Sequence, residues 1–278
     1  MALTTMLVQL GRDPDALRRL AVAQTLAKAH RAHLTALYLT RPLTMPAEVV
    51  GRGLSRSFLE GEAEDAAESA RLLEDSFRAG AEQLGLSHDW IVEDSDNLAA
   101  LAKHGHTADL IVVSRGTEKT LEDRVRPSVA EELVLVTGLP ILVLPPGYAP
   151  GEAAVGQRVL IAWKPTREAV RALRDALPIL QRAQKIVLAT VQPTSEDAIS
   201  ALEVLQYLER QSLRAETIDV PKEAEGVAAT LLAVARAHAC DLVVSGAYGH
   251  ARLQEVLLGG GVTRTLFRTA HLPLLLSH

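Results

Sequence analysis

Glycines are concentrated in one segment of the chain, in a spacing that suits the binding of an anion. Gly246 and Gly249 are followed by nine residues and then by the run Gly259, Gly260 and Gly261. Glycine has no Cβ and tolerates positive φ, so these residues are expected to turn the chain sharply and to let a ligand approach the backbone. The run precedes a segment of helical pattern, and backbone N–H groups at a helix N-terminus bind anions. The segment therefore predicts a phosphate-binding loop, called here the glycine loop.

Three other residues of this segment are candidate ligand contacts. Val262 and Thr263 open the predicted helix, and the Thr263 hydroxyl either contacts the ligand or caps the helix. His250 follows Gly249, and it either touches a phosphate or is an ordinary exposed loop histidine. A short helical turn is expected at Leu253–Leu258, inside the glycine loop.

The apolar run that leads into the glycine loop has a counterpart earlier in the chain. Asp109–Ser114 and Asp241–Gly246 both begin with an aspartate that is followed by aliphatic residues. A Leu-Pro pair then introduces a second apolar run in each half, Ile141–Leu144 and Leu274–Leu276. Short continuous apolar runs are typical of strands that are buried on both faces. The two pairs of runs indicate an internal duplication.

Each half is predicted to alternate five strands with four helices. The strands are expected at Thr5–Leu10, Leu34–Leu39, His88–Val92, Asp109–Ser114, Ile141–Leu144, Val159–Trp163, Lys185–Val191, Arg214–Asp219, Asp241–Gly246 and Leu274–Leu276. The helices are expected at Asp13–Arg31, Gly61–Leu84, Asp96–His104, Ser128–Val136, Thr166–Arg182, Ser195–Gln211, Gly226–His238 and Val262–Thr269. This alternation predicts parallel sheets with helices on both faces, and ligands bind such sheets at the carboxyl ends of the strands.

Two segments without apolar periodicity divide this pattern. Residues 147–157 are predicted to link a first domain, 1–146, to a second domain, 158–278, because the surrounding sequence is rich in proline and glycine. An insertion at Arg41–Glu60 lengthens the first half. It is expected to be a surface loop, a lid or a partner-docking segment.

The spacing Gly-x-x-Gly, nine residues, then glycine at the head of a helix resembles the pattern of the universal stress protein family. The resemblance covers the whole chain as a tandem pair. It implies two flavodoxin-like, adenine nucleotide alpha hydrolase-like domains, each a doubly wound parallel sheet with strand order 3-2-1-4-5. It also implies that the last strands of the two halves pair with each other. The function that it implies is a stress-response regulatory protein that binds ATP or another adenine nucleotide and has no catalytic role.

The resemblance adds two candidate residues outside the glycine loop. In ATP-binding members the first strand ends in an aspartate that meets the base and ribose region, and here Lys164 stands at that position. A lysine cannot accept the hydrogen bonds that a carboxylate accepts, although it can pair with a phosphate. Val191 matches the position whose backbone faces the adenine. Members often have serine or threonine directly after the third motif glycine, where this chain has Gly260 and then Gly261.

The first half departs further from the family pattern and is expected to bind no ligand. Ser114 replaces the first motif glycine, and Pro127 precedes the helix in place of a glycine pair, which removes an N–H donor. Asp13, followed by Pro14, is expected to cap the first helix. The departures leave a second function open, a protein-interaction scaffold without a ligand, and slow nucleotide hydrolysis is a third.

Composition and single residues exclude several other classes. The formal charge of −5 offers no basic field for nucleic acid. His104, His106 and Asp109 lack further ligands at the spacing of a zinc site, so no metal is expected. Cys240 lies in an apolar run and is expected to pack in the core. No basic leader precedes the first strand and no apolar run reaches membrane-spanning length, so a cytoplasmic protein without a membrane partner is expected. Protein partners, a homodimer among them, stay open.

Overall fold

The computed structural model describes residues 2–40, 56–95, 97–116, 128–149, 151, 153–249 and 261–278. Within residues 56–63 it describes the backbone only.

The described residues form ten strands and eight helices in strict alternation within each half. The strands are β1 (Thr5–Leu10), β2 (His33–Leu39), β3 (His88–Glu93), β4 (Leu110–Ser114), β5 (Ile141–Leu144), β6 (Arg158–Ala162), β7 (Lys185–Val191), β8 (Glu216–Val220), β9 (Leu242–Gly246) and β10 (Leu274–Ser277). The helices are α1 (Ala16–His30), α2 (Arg56–Leu84), α3 (Asn97–Gly105), α4 (Val129–Thr137), α5 (Arg167–Leu180), α6 (Ser195–Arg210), α7 (Val227–Ala237) and α8 (Val262–Thr269).

All ten strands belong to one sheet with the order β3-β2-β1-β4-β5-β10-β9-β6-β7-β8. Within each half the order is the predicted 3-2-1-4-5, and the neighbouring strands are parallel. The expected pairing of the last strands is confirmed, because β5 and β10 are antiparallel with Leu142 opposite Leu275. The two predicted sheets are therefore one continuous sheet, and neither last strand is left as an open edge.

Burial follows the sequence pattern across this sheet. Every residue of β4, β5 and β10 is buried, whereas the outermost strands β3 and β8 contain only partly buried and exposed residues. Two apolar clusters cover the sheet, one on each face, since alternate residues of a strand point to opposite faces. The continuous apolar runs of the sequence are thus the strands at the middle of the sheet.

The two aspartates that introduce the repeated runs have the same structural role in both halves. Asp241 accepts hydrogen bonds from the backbone N–H groups of Gly156, Gln157 and Arg158 at 2.8–3.0 Å. Asp109 accepts hydrogen bonds from the N–H groups of Thr4 and Thr5 at 2.7 and 2.9 Å. Each carboxylate therefore fixes the start of the first strand of its half to the start of the fourth.

Two predicted helix starts were wrong. Helix α2 begins at Arg56 and not at Gly61, so the last five residues of the predicted insertion are helical. A single glycine costs a helix only about 1 kcal/mol, which the rest of a long helix readily offsets. Residues 41–55 lie outside the described residues. Helix α1 begins at Ala16, and Asp13 does not cap it. The Asp13 carboxylate instead pairs with the buried Arg19 at 2.7 Å.

Candidate functional site

The glycine loop leaves the sheet at the carboxyl end of β9, between β6 and β10. Gly246 is the last residue of that strand, and the first turn of α5 packs directly on it. A Cβ on Gly246 would lie 2.6 Å from the Ala169 nitrogen and 2.7 Å from the Glu168 carbonyl carbon. The close approach that requires glycine here is therefore the approach of a helix and not of a ligand.

Among the described residues of the loop, the left-handed conformation is at Tyr248 and not at Gly246 or Gly249. Gly246 and Gly249 do not have positive φ, whereas Tyr248 has a φ of 52°. The expectation of positive φ at these glycines was wrong. A non-glycine residue in the left-handed region is uncommon and costs on the order of 1 kcal/mol, so the surroundings must hold it there.

Two hydrogen bonds hold Tyr248. Its backbone N–H donates to the Thr263 hydroxyl at 3.3 Å, so this hydroxyl joins the start of the loop to the helix at its end. Its phenol hydroxyl donates to Glu131 Oε1 at 2.8 Å. Burial and the Glu131 carboxylate both raise the pKa of Tyr248, so the phenol keeps the proton that it donates. Neither Tyr248 nor Glu131 was among the predicted site residues.

The N-terminus of α8 differs from that of α4, the equivalent helix of the first half. In α4 the Ser128 hydroxyl accepts a hydrogen bond from the Glu131 N–H at 3.3 Å, and Glu131 Oε2 accepts one from the Ser128 N–H at 2.8 Å. This capping box uses two of the donors that an anion would need. In α8 the N-cap residue is Gly261, which has no side chain to cap the helix, and Val262 beside it is exposed.

A buried carboxylate lies next to the glycine loop. The side chain of Glu168 is 1% exposed, and its Oε1 accepts a hydrogen bond from Arg167 Nε at 2.6 Å. Its Oε2 is buried without a hydrogen-bond partner among the described residues, 3.4 Å from the point that a Cβ on Gly249 would occupy. Burial acts to raise the pKa of Glu168, but the hydrogen bond from Arg167, a backbone hydrogen bond and neighbouring positive charge together outweigh it, so the pKa lies below its usual value. This charge disfavours a phosphate directly at Gly249, and Glu168 was not among the predicted site residues.

The remaining predicted site residues lie partly at the same edge of the sheet. Lys164 is exposed and follows β6, and its carbonyl accepts a hydrogen bond from the Thr166 N–H at 2.7 Å. Val191 is the partly buried last residue of β7. Because β6, β7 and β9 are neighbouring parallel strands, Lys164, Val191 and Gly246 share the carboxyl edge of the sheet. His250, Gly259, Gly260 and the predicted turn at Leu253–Leu258 lie outside the described residues.

In the first half, a serine side chain stands at the position that corresponds to Gly246. Ser114 stands at the end of β4, where the second half has Gly246. Helix α1 begins ten residues after Met6, whereas α5 begins eight residues after Val159, which pairs with the fourth strand as Met6 does. The later helix start leaves space for the Ser114 side chain. Pro127 lies outside the described residues.

The other candidate groups have structural partners. His104 Nε2 lies 3.0 Å from Glu93 Oε2, and Asp109 binds the start of β1. Among the described residues, no three His, Cys, Asp or Glu side chains are grouped to hold a metal ion. Burial raises the pKa of the Cys240 thiol to about 11. None of the described helices has both the length and the apolar character to cross a membrane.

The fold and the glycine loop define a tandem protein of two doubly wound α/β halves that share one sheet. The chain belongs to the universal stress protein family, which it matches over residues 3–145 and again over residues 156–278. Among curated proteins, none is significantly similar in sequence.

Solved structures of similar fold extend over almost the whole chain. A universal stress protein from Archaeoglobus fulgidus DSM 4304 superposes with a TM-score of 0.74 at 13% identity, covering 98% of this chain and 95% of its own. A putative universal stress protein from Pseudomonas aeruginosa UCBPP-PA14 has a TM-score of 0.57 at 17% identity, covering 99% of this chain and 93% of its own. A protein of unknown function from Pseudomonas aeruginosa PAO1 has a TM-score of 0.59 at 15% identity, covering 99% and 92%. These likenesses concern the fold.

Proposed function

We propose that this protein is a cytoplasmic regulator of a stress response whose second half binds ATP or a related adenine nucleotide. The observation that carries the proposal is the difference between the two equivalent helix N-termini. Helix α4 has a capping box of Ser128 and Glu131, whereas the N-cap residue of α8 is Gly261, which has no side chain. First-turn N–H groups without a cap, at the positive end of a helix, favour an anion such as a phosphate.

The charges near the loop orient the proposed ligand. The Glu168 carboxylate lies beside Gly249, so the phosphates are expected at the α8 end of the loop, away from it. Lys164 is exposed at the same edge of the sheet and is a candidate partner for a phosphate. Val191 closes β7 at that edge, where its backbone would face the adenine.

Binding without efficient turnover is part of this proposal. A general base works best with a pKa near the working pH. Among the described residues at the site, the buried Glu168 is a carboxylate that could act as a base. Its pKa is lowered, and one of its oxygens accepts a hydrogen bond from Arg167. Such a group is a weak base, so we expect little activation of a water molecule.

Calorimetric titration of the full chain with ATP, AMP and inorganic phosphate tests the proposal. We expect ATP to bind with a Kd below about 1 mM, which is a binding free energy of about −4 kcal/mol or better. Gly249→Asp places a second carboxylate beside Glu168 and is expected to weaken binding at least about tenfold. The control is Gly116→Asp, because Gly116 lies in the corresponding segment of the first half and no described residue comes within 4 Å of a Cβ there.

Two outcomes of this titration contradict the proposal. If the wild-type protein does not bind ATP at millimolar concentration, the proposed nucleotide ligand is refuted. If Gly249→Asp and Gly116→Asp lose the same ATP affinity, the site does not lie in the glycine loop. Phosphate release at a rate typical of enzymes would contradict the absence of efficient turnover.

One observation favours a second function, a protein-interaction scaffold without a ligand. Glu168 places a negative charge beside Gly249, and a negative charge at this place opposes the binding of a phosphate by the loop. A protein partner captured equally well by the wild type and by Gly249→Asp, together with no ATP binding, would support the scaffold.

A further inference from the structure

The hydrogen bond between Tyr248 and Glu131 joins the two halves of the chain at the glycine loop. Tyr248 belongs to the loop of the second half, and Glu131 lies in the first turn of α4 in the first half. The two residues are 117 positions apart in the sequence. The first half, whose sequence lacks the family's glycine spacing, therefore contacts the glycine loop of the second half.

The residues at the position of Glu131 have opposite charges in the two halves. Counted back from the Leu-Pro pairs that precede β5 and β10, Glu131 corresponds to Arg264 in α8. Both side chains are more than nine-tenths buried. Both side chains act on the phenol of Tyr248: the charge of Glu131 raises its pKa, and the charge of Arg264 lowers it. Only the carboxylate can accept a hydrogen bond from the phenol, since a guanidinium has no acceptor.

Glu131 is itself held rigidly. Its Oε2 accepts the Ser128 N–H in the capping box, which leaves Oε1 directed to the Tyr248 hydroxyl. A second contact between the halves lies on the equivalent segment, where the Arg115 guanidinium donates to the Phe267 carbonyl at the end of α8. Together with the β5–β10 pairing, these contacts give the tyrosine a fixed acceptor.

We propose that Glu131 of the first half is a positioning residue for the nucleotide site of the second half, acting through Tyr248. The hydrogen bond holds Tyr248 at φ 52°, and this conformation brings its N–H to the Thr263 hydroxyl at the start of α8. The first half then supports the site without binding a ligand. The effect on nucleotide affinity rests on the proposed function, whereas the effect on the loop does not.

Hydrogen exchange of the full-length protein, without ligand, tests the effect on the loop. Tyr248→Phe removes only the hydroxyl, and we expect exchange in peptides containing Ala247–Gly249 to become roughly three- to tenfold faster, the range for one lost hydrogen bond. The matched control is Tyr38→Phe, because the Tyr38 hydroxyl donates to the Ala66 carbonyl inside the first half at 3.1 Å. We expect this control to leave exchange at Ala247–Gly249 unchanged.

A second variant separates the link from helix capping. Glu131→Ala removes both the acceptor and half of the capping box, so exchange should increase at Ser128–Glu132 and at Ala247–Gly249. Added to Tyr248→Phe, it should increase exchange further only at Ser128–Glu132, because the link is already absent. A further increase at Ala247–Gly249 in the double variant would show that Glu131 acts on the loop by another route and would overturn the proposal.

ATP titration of the same proteins separates this proposal from the proposed function. If both hold, Tyr248→Phe weakens ATP binding roughly three- to tenfold and Tyr38→Phe does not. Faster loop exchange in Tyr248→Phe, with no ATP binding by the wild type, refutes the nucleotide and supports the link between the halves. Unchanged exchange at Ala247–Gly249 overturns the link, whether or not ATP binds.

Discussion

Gly246 and Gly249 are expected to differ in their response to the same substitution by alanine. In Gly246→Ala the new Cβ would lie 2.6 and 2.7 Å from two backbone atoms of α5, which can move only if the helix or the strand moves. In Gly249→Ala the nearest atom among the described residues is Glu168 Oε2 at 3.4 Å, and a small side-chain rotation relieves this contact. Neither residue has positive φ, so steric contact alone should decide the result.

The magnitude follows from these contacts. Forcing one extra methyl into a packed core costs about 1–3 kcal/mol, and two backbone contacts below 3.0 Å place Gly246→Ala at the upper end. The lower entropy of alanine in the unfolded chain returns about 0.4–1 kcal/mol in either variant. We therefore expect Gly246→Ala to lose about 2 kcal/mol of unfolding free energy and Gly249→Ala to keep its stability or to gain up to about 1 kcal/mol.

Urea denaturation, followed by circular dichroism, measures both values from the shift of the midpoint at constant slope. Ser114→Gly is the control at the equivalent place in the first half, where the later start of α1 already leaves space for a side chain. We expect no gain from it by relief of steric contact. A Gly246→Ala variant as stable as Gly249→Ala would refute the conclusion that α5 requires a glycine at the end of β9.

Two further predictions concern titrating groups. Burial opposes ionisation of Asp109, but the hydrogen bonds from Thr4 and Thr5 together outweigh burial and lower the pKa of this carboxyl. The stabilising effect of Asp109 is therefore complete above pH ~4 and is lost as the pH falls through the folded-state pKa. Asp109→Asn should therefore cost about 1–2 kcal/mol in urea denaturation at pH 7 and progressively less below pH 4, and an equal cost at pH 7 and pH 2.5 would contradict this. Burial raises the pKa of Cys240 to about 11, so labelling by Ellman's reagent at pH 8 should be on the order of a hundredfold slower in the folded protein than in urea. Equal rates would show that the thiol is not held in the folded structure.

The sequence predicts the strands well because the central strands are buried on both faces. A strand such as β5 or β9 has no exposed face, so its whole length is apolar and its ends are visible in the sequence. The paired aspartates Asp109 and Asp241 were also readable, and the structure adds the reason for their repetition, since each binds the start of the first strand of its half. The helix starts at Asp13 and Gly61 were wrong because a local signal, Asp-Pro or glycine, was outweighed by the rest of the helix and by the pairing of Asp13 with Arg19.

The site was less predictable because its contacts join distant segments. Glu168 lies beside Gly249 only because α5 packs on the end of β9, and no spacing in the sequence relates these two residues. The capping box of Ser128 and Glu131 was visible as Ser-x-x-Glu, and it would have indicated that two of the donors at the start of α4 are already used. Its second role as the acceptor for Tyr248 requires the folded pairing of β5 with β10.

The same helix N-terminus has taken two different roles in the two halves. In the first half, Ser128 and Glu131 satisfy the helix internally and Glu131 keeps one oxygen for Tyr248. In the second half, Gly261 and Arg264 stand at the corresponding positions, so the helix has no side-chain cap at its N-cap residue and carries a cation in its first turn. A cation near donors favours an anion further. The halves are thus complementary in charge at equivalent positions, and the carboxylate that completes the capping box of α4 also contacts the glycine loop of the second half.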